Sequence, residues 1–579
     1  MKRSYKIIMT LAASVFFFGS CADMLEKNPQ GVLSPTVLSS QDAVEKLAVA
    51  AYSPLNGGTK GTNGWSSAAD NMFAFEMGPG NLHKGSSITD QPNWYDMERF
   101  VATNNNDRIR DKWRASYEGI TRANDVIIAI RDNELAEMLQ AEKDQLIAEM
   151  KFLRGFYHFE LVKMFKMVPY IDENVEDPFK RVKNDRDIMP DVLKDLKAAE
   201  AVLPEVQAEP GRPTVYACKA IIAKCYLYQK DYKSAKPYVD AIVNSGKYGL
   251  YDNYYDNFNP EFNNGKEAIF QTQMSVNVAG AGYHRANRLV DLCYPAGPED
   301  ARLNGAGFCQ PTFDLVNAYQ VDENGLPLFD TYRTTDFKND MGLLSDDPFE
   351  PDMTTPVDVR LEWVVGRRGV PYHDWGVFPG YKWVRENQLN GPYVQKKHTL
   401  FSSQVDEYAY NQSAKFNAIN FSIVRYAQIL LWAAECEADA GNLDKAREYV
   451  NMIRHRAATS NKVCHGSMAP FDDGTHQYAA NYKVGLYETP WASKEEAMKC
   501  IQFETRLELA LEGHLLFDLV RWGTAKEFIN GYIAQEQKKI QFLQGVKYED
   551  YNAIFPIPLV EIDRSYLNGE PTLTQNPNF

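Results

Sequence analysis

Three carboxylates, Glu504, Glu508 and Glu512, stand four residues apart in the run Ile501 to Gly523. Such a row has two chemistries open to it: acid/base work, or an ion-pair ridge whose like charges are met by cations from elsewhere in the fold. The neighbouring residues favour the ridge. Phe503, Leu507, Leu511, Leu515 and Leu519 also recur every fourth residue, about 100° around the same cylinder. The segment therefore reads as one helix with an apolar face to bury and an acidic face that needs partners. A second set offers ring faces. Asn63, Trp65, Asp70, Trp94, Tyr95, Trp363, Arg367, Trp375, Tyr381 and Trp383 fall outside sustained helical periodicity. Aromatic faces that stack on pyranose rings, beside planar polar groups that bond adjacent hydroxyls, are what a surface sugar site requires. The alternative for each tryptophan is the core. Trp113, Trp432 and Trp522 lie in helical patterns and are expected to pack inward, whereas Trp65 and Trp375 lie in loops, which run over surfaces.

Other chemistry has weaker signals. His455, Cys464, His465 and His476 cluster in sequence, but their spacing matches no standard zinc pattern, so a loop is expected there and no metal. DENG at Asp322–Gly325 and DDG at Asp472–Gly474 lack the later ligands of a calcium loop and read as turns. No GxSxG, HExxH, P-loop or strand-following GxGxxG occurs. A glycosidase needs only two facing carboxylates, about 5 to 10 Å apart. With 77 Asp plus Glu in the chain, that reading stays open.

The elements that must position these residues are mostly helices. With 579 residues the chain is too long for one small core, so several domains or an extended helical array are expected. Ser39–Ala51 reads as a short helix, and Gly57–Trp94 as loop. Two long amphipathic stretches, starting at Asp107 and Ala141 and ending near Phe165, form an expected antiparallel pair. An internal repeat follows. Ala223 precedes Ala235 by twelve residues with Val239 and Ile242 next; Ala434 precedes Ala446 by twelve with Val450 and Ile453 next. Small residues at that spacing let two helices cross closely, as in a tetratricopeptide repeat, and the copies would build a right-handed helical scaffold. Between them Tyr251–Asn417 is rich in Gly, Pro, Asn and aromatics. A loop that long must fold against the scaffold and carry function. The expected class is thus mostly α, a tetratricopeptide-repeat scaffold with a large loop-rich insertion. Its segments are a signal (1–20), a tether (21–45), N-terminal loops and repeat helices (46–250), the insertion (251–417), and C-terminal repeat helices and tail (418–579) that form one unit with 46–250.

The N-terminus supplies an address. Lys2, Arg3 and Lys6 precede an apolar run from Ile7 to Phe18, and Gly19-Ser20-Cys21 resembles a bacterial lipobox. Cleavage there would leave Cys21 for a lipid anchor, each buried acyl methylene stabilising attachment by about 0.8 kcal/mol. No later stretch is long enough to span a membrane. The other seven cysteines, an odd number without CxxC spacing, do not read as a disulfide framework. A net charge of −15 without a basic cluster argues against nucleic acid and suits neutral or basic cargo.

Arg506, Glu508, Glu512-Gly513, Asp518 and Arg521-Trp522-Gly523, with RANDVI at 122–127, MKFLRGFYHFELVKMF at 150–165, Pro556-Ile557-Pro558 and the Asn-Pro ending, together resemble the SusD/RagB family of surface glycan-binding lipoproteins. His514 stands where that pattern has arginine, which removes one ion pair the family would imply. The resemblance runs over nearly the whole chain. It implies a non-catalytic protein in the outer membrane, anchored at Cys21, exposed on the surface and needing no cofactor. It would capture an oligosaccharide and hand it to a TonB-dependent transporter of the SusC type. It also implies a site where the loops before the first repeat helices meet the insertion, hence among Asn63, Trp65, Asp70, Trp94, Tyr95, Trp363, Arg367, Trp375 and Tyr381. The competing expectations are a surface glycoside hydrolase and a tetratricopeptide scaffold for peptide or glycopeptide.

Overall fold

The structure, a computed structural model, describes residues 40–59, 76–133, 135, 137–175, 181–280, 282–464 and 477–579. The signal, Cys21, most of the tether, Asn63, Trp65, Asp70, His465, His476 and the Asp472–Gly474 motif lie outside the described residues.

Paired helices carry most of the core. α1 (Gln41–Tyr52) starts where the Ser40 hydroxyl oxygen accepts from the Ala43 N–H. β1 (Leu82–Gly85) and the short α2 (Pro92–Glu98) precede the long pair α3 (Asp107–Asp132) and α4 (Gln140–Phe165). Asn106 caps α3 by accepting from the Arg108 N–H at 2.9 Å. The pair meets at Gly119, where a Cβ would fall 2.3 Å from the Tyr157 ring, so the crossing requires glycine. The Tyr157 hydroxyl donates to the carbonyl of Ala51 at 2.7 Å and ties α1 to this pair. α5 (Met189–Glu200) packs on α4 and leads into the first repeat, α6 (Val215–Tyr228) and α7 (Tyr232–Val243).

The insertion contributes β2 (Ala268–Thr272), β3 (Phe308–Pro311) and α8 (Phe313–Ala318), with helical turns and two-residue strands between β4 (Phe421–Arg425) and these elements. Antiparallel β1–β3, with Leu82 opposite Pro311, joins the N-terminal loops to the insertion; antiparallel β2–β4, with Ala268 opposite Arg425, joins its two ends. The second repeat, α9 (Tyr426–Asp439) and α10 (Leu443–Thr459), then packs on α7 and on α11 (Lys494–Leu509). Ala223, Ala235, Ala434 and Ala446 are fully buried, as are Val239, Ile242, Val450 and Ile453, the contact residues read from the repeat. The protein is mostly helical, a tetratricopeptide-like scaffold with a loop-rich insertion.

Two expectations fail. Ile501–Gly523 is not one helix: α11 stops at Leu509, and α12 (Leu515–Trp522) starts after a turn in which Leu511 has φ +64° and Gly513 φ +83°. Glu76 supplies the reason. Its carboxylate accepts from the N–H groups of Gly513 (2.9 Å) and His514 (3.1 Å), while Glu512 swings to Lys397 and Arg425. α13 (Ala525–Glu536) follows α12. The cysteine reading also fails, because Cys293 and Cys309 form a disulfide with Cα atoms 5.0 Å apart. Their sixteen-residue separation lies in aperiodic chain, which gives no sign of what it brings together. Cys218, Cys225, Cys436, Cys464 and Cys500 are free and buried.

The acidic ridge does find its cations. Glu504 pairs with Arg454 (2.8 Å) and Arg360 (2.7 Å), Glu508 with Arg360 (3.0 Å), Arg425 (2.7 Å) and Arg456, and Glu512 with Lys397 (2.6 Å) and Arg425 (2.8 Å). Arg360 and Lys397 come from the insertion, so this buried seam clamps the insertion to the scaffold.

Candidate functional site

Of the residues expected at the site, Trp94, Tyr95, Trp363 and Arg367 are inside the protein. Trp363 is 1% exposed, stacks on Tyr255 at 5.1 Å and donates its indole N–H to the Asn461 carbonyl at 3.1 Å. Arg367 is held by Glu362 and by the Ala479 carbonyl. Tyr95 donates to Asn390 at 3.2 Å beneath Lys84, whose ammonium lies 4.2 Å from the ring; Trp94 is 1% exposed, with the Arg108 guanidinium 5.9 Å away. For Tyr95, Trp363 and Arg367 the cause is a polar partner from a distant segment, Asn390, Asn461 and Ala479 respectively. These four cannot reach a ligand without opening the core, and Trp383, 6% exposed, shares that fate. Of the helix-borne indoles, Trp113 and Trp432 are buried, and Trp522 is half-buried with its N–H on Glu435.

Trp375 and Tyr381 stay accessible. Trp375 sits at a turn closed by the Tyr372 N–H to the Gly376 carbonyl, with Gly376 at φ +113°. Its indole N–H donates to the Leu400 carbonyl at 2.7 Å, which fixes the ring half-buried, and the Arg302 guanidinium lies 5.3 Å from it. The neighbouring Asp374 carboxylate pins this turn by accepting from the Ser402 and Ser403 N–H groups. Tyr381 is 44% exposed at the start of a helical turn.

A further aromatic group, centred on Tyr283 at 38% exposed, was not foreseen. Tyr283 stacks on Phe416 with centroids 5.0 Å apart and planes at 23°, and Tyr410 joins edge-on at 6.3 Å. Asparagines align the two loops. The Asn287 N–H donates to the Asn417 carbonyl at 2.7 Å, the Asn287 amide to the Ile419 carbonyl, and the Asn417 amide to the Tyr294 hydroxyl and the Ala414 carbonyl. The Ala414 N–H in turn donates to the Arg302 carbonyl at 2.9 Å, linking this platform to the Trp375 side. A left-handed Asn411-Gln412 pair (φ +50° and +56°) makes the Tyr410 loop turn. Nothing local sets Tyr283 apart from the chain's 32 other tyrosines; the only cue was its glycine-rich approach, GAGY.

Hydrogen bonds from Arg302 hold the Asp300 carboxyl below its ordinary range. No group of three or more His, Cys, Asp or Glu among the described residues could hold a metal, and Asp322 shapes a turn by accepting from the Asn324 and Leu326 N–H groups. Pockets on the scaffold offer less. The one of about 820 Å³ beside α10 is lined by Tyr248, which is half-buried, and Tyr426, which is buried; the two rings stack 6.4 Å apart.

The geometry is that of a helical scaffold presenting ring faces on an insertion, and comparison with known proteins places it. Residues 266–579 match the model of the SusD family, and residues 23–227 match a model described as starch-binding associating with outer membrane. The chain belongs to the SusD family. It is 23% identical to SusD-like protein P25 of Formosa agariphila over 97% of each chain, and 25% identical to a SusD-like protein of Bacteroides ovatus over 54% of this chain and 57% of that one. Among solved structures it is similar to surface glycan-binding protein A from Bacteroides thetaiotaomicron in complex with laminarihexaose (TM-score 0.67, 22% identity, 93% and 99% of the two chains). It is also similar to a SusD superfamily protein from Bacteroides vulgatus (TM-score 0.68, 20% identity, 93% and 99%). No described helix is long and apolar enough to cross a membrane.

Proposed function

We propose that this protein is a non-catalytic, cell-surface glycan-binding lipoprotein that captures oligosaccharide and passes it to a TonB-dependent transporter of the SusC type. The observation that carries this reading is the set of accessible rings on the insertion: Tyr283, 38% exposed and stacked on the half-buried Phe416, with Trp375 and Tyr381 on neighbouring loops. Sugar rings lie on such faces, and the exposed Asn411 and Gln412 side chains of the Tyr410 loop are on the same surface to bond hydroxyls. Relatives described as surface glycan-binding and laminarin-binding support the ligand class. The signal and Cys21 support attachment to the outer membrane, with the tether of residues 21–45 giving reach. Single-site affinity can be weak, since a polymer and a transporter mouth both raise effective concentration.

Affinity electrophoresis against a glycan panel tests this. Binding is expected for at least one oligosaccharide, lost in Tyr283→Ala and weakened in Trp375→Ala, with no release of reducing ends. Release that disappears on replacing a single carboxylate would convert the reading to a hydrolase, and peptide binding that survives both substitutions would convert it to a peptide receptor.

A further inference from the structure

Among the described cysteines, the free thiols belong to the scaffold side: Cys218 and Cys225 on α6, Cys436 on α9, Cys464 after α10 and Cys500 on α11. The Cys293–Cys309 disulfide lies instead in the insertion, where the segments of both rings of the Tyr283–Phe416 stack converge. Tyr283 stands ten positions before Cys293, and the segment between them is fixed midway by Asn287 on the Asn417 and Ile419 carbonyls. Beyond Cys293 the chain makes a loop that the disulfide closes, with the Gly307 N–H donating to the Tyr294 carbonyl at 2.9 Å and the Gly305 N–H to the Pro295 carbonyl at 2.7 Å. That loop holds the other ring. Its Arg302 carbonyl accepts from the Ala414 N–H, two residues before Phe416, and the Tyr294 hydroxyl accepts at 2.9 Å from the Asn417 amide, one residue after it. From Cys309 the path continues along β3, which pairs with β1 at Phe308–Gly85 and Pro311–Leu82, so the bond links platform to frame. Cys309 itself has φ +56°, in the left-handed region that a residue with a side chain keeps only where its surroundings fix it.

We infer that the Cys293–Cys309 disulfide is a positioning element of the ligand platform, setting the Tyr283 and Phe416 segments against each other before a glycan arrives. It touches no ligand. Its part is to remove motion from two loops that a sugar chain would otherwise have to order on binding, and that ordering is subtracted from affinity. The frame does not need it, since the repeat helices close around buried alanines and carry their cysteines as thiols. This rests on the reading that the platform binds glycan, and it adds the covalent element that holds the platform's geometry.

The test compares the natural chain with Cys293→Ser plus Cys309→Ser, with Cys293→Ser plus Cys309→Gly, and with Tyr283→Ala. One measurement is affinity electrophoresis and calorimetry against laminarin, pullulan, xyloglucan, arabinogalactan and polygalacturonate; the other is amide hydrogen exchange read by mass spectrometry. Glycine adopts a positive φ without a steric penalty, so the second pair separates loss of the bond from strain left at position 309. Both pairs should bind about five- to tenfold more weakly than the natural chain, with faster exchange over 283–308 and 410–419 and unchanged exchange in α6, α7, α9 and α10. Equal affinity with unchanged exchange would overturn the inference, as would recovery of affinity in the glycine pair or faster exchange throughout the helices. Failure of both pairs to fold would overturn it too, because a platform anchor must leave the frame standing. If Tyr283→Ala binds as the natural chain does, or no glycan binds, the platform reading fails by itself, and the exchange pattern still decides whether the bond holds these two loops.

Discussion

Glu508 shares its two oxygens among Arg360, Arg425 and Arg456, and all four side chains are 3% exposed or less. Burial alone would raise its pKa, but Arg456, Arg425 and Arg360 outweigh burial and hold it well below the ordinary 4.5; the same opposition, led by Arg425 and Lys397, brings Glu512 to about 2. Depressed carboxylate pKa values contribute stability that is complete above about pH 4.5 and lost as pH falls toward 2. Removing one partner leaves charge buried without compensation. Glu508→Ala is therefore expected to cost about 3 to 5 kcal/mol in denaturant unfolding, far more than an exposed pair would. His83 behaves oppositely. It sits fully buried between Glu98 (2.8 Å) and Glu536 (3.0 Å). Burial lowers its pKa, but hydrogen bonds to Glu536 and Glu98 override this and raise it to about 9. Its contribution is complete below about pH 6.5 and lost as pH rises through about 9. Melting temperature should fall across that window in the natural protein and change less in His83→Asn, measured by calorimetry from pH 6 to 10; an unchanged slope in the variant would show that another group titrates there.

At the scale of elements, close crossings and long-range caps decide where helices meet and stop. The Gly119 crossing leaves no room for a methyl group against Tyr157, so Gly119→Ala should cost about 1 to 3 kcal/mol despite its better helix propensity, and Gly246→Ala, with open space around it but φ +66°, should cost less. Helices were legible in the sequence because their signal is local: stripes of apolar residues and alanines at a fixed spacing. The break between α11 and α12 was not legible. Leu511 and Leu515 keep the four-residue step straight through it, and the break is imposed by Glu76 from 437 residues away. The disulfide and the Asn287–Asn417 pairing are hidden for the same reason, since each depends on aperiodic chain folding back on itself. Loop aromatics were legible as a class but not one by one. Trp363 and Trp375 sit twelve residues apart in similar composition, and only their surroundings make one a core plug and the other a half-open face.

Across the whole molecule, two repeat pairs and the α3–α4 pair form a frame, the β1–β3 ladder and the buried ionic seam fix the insertion to it, and the insertion carries the accessible rings. The family and the helical class were readable from spacing and motif. The choice of rings was not, because ligand contact depends on which aromatics the packing leaves uncovered. That choice is also what the proposed function depends on, and radical footprinting of aromatic side chains in the natural protein with a bound glycan tests it most directly. The account predicts that Tyr283, Tyr410, Phe416 and Trp375 are labelled in the free protein and protected in the complex, with Trp94 and Trp363 unlabelled in both. Protection confined to other rings, or full labelling of Tyr283 and Phe416 under saturating glycan, would contradict it.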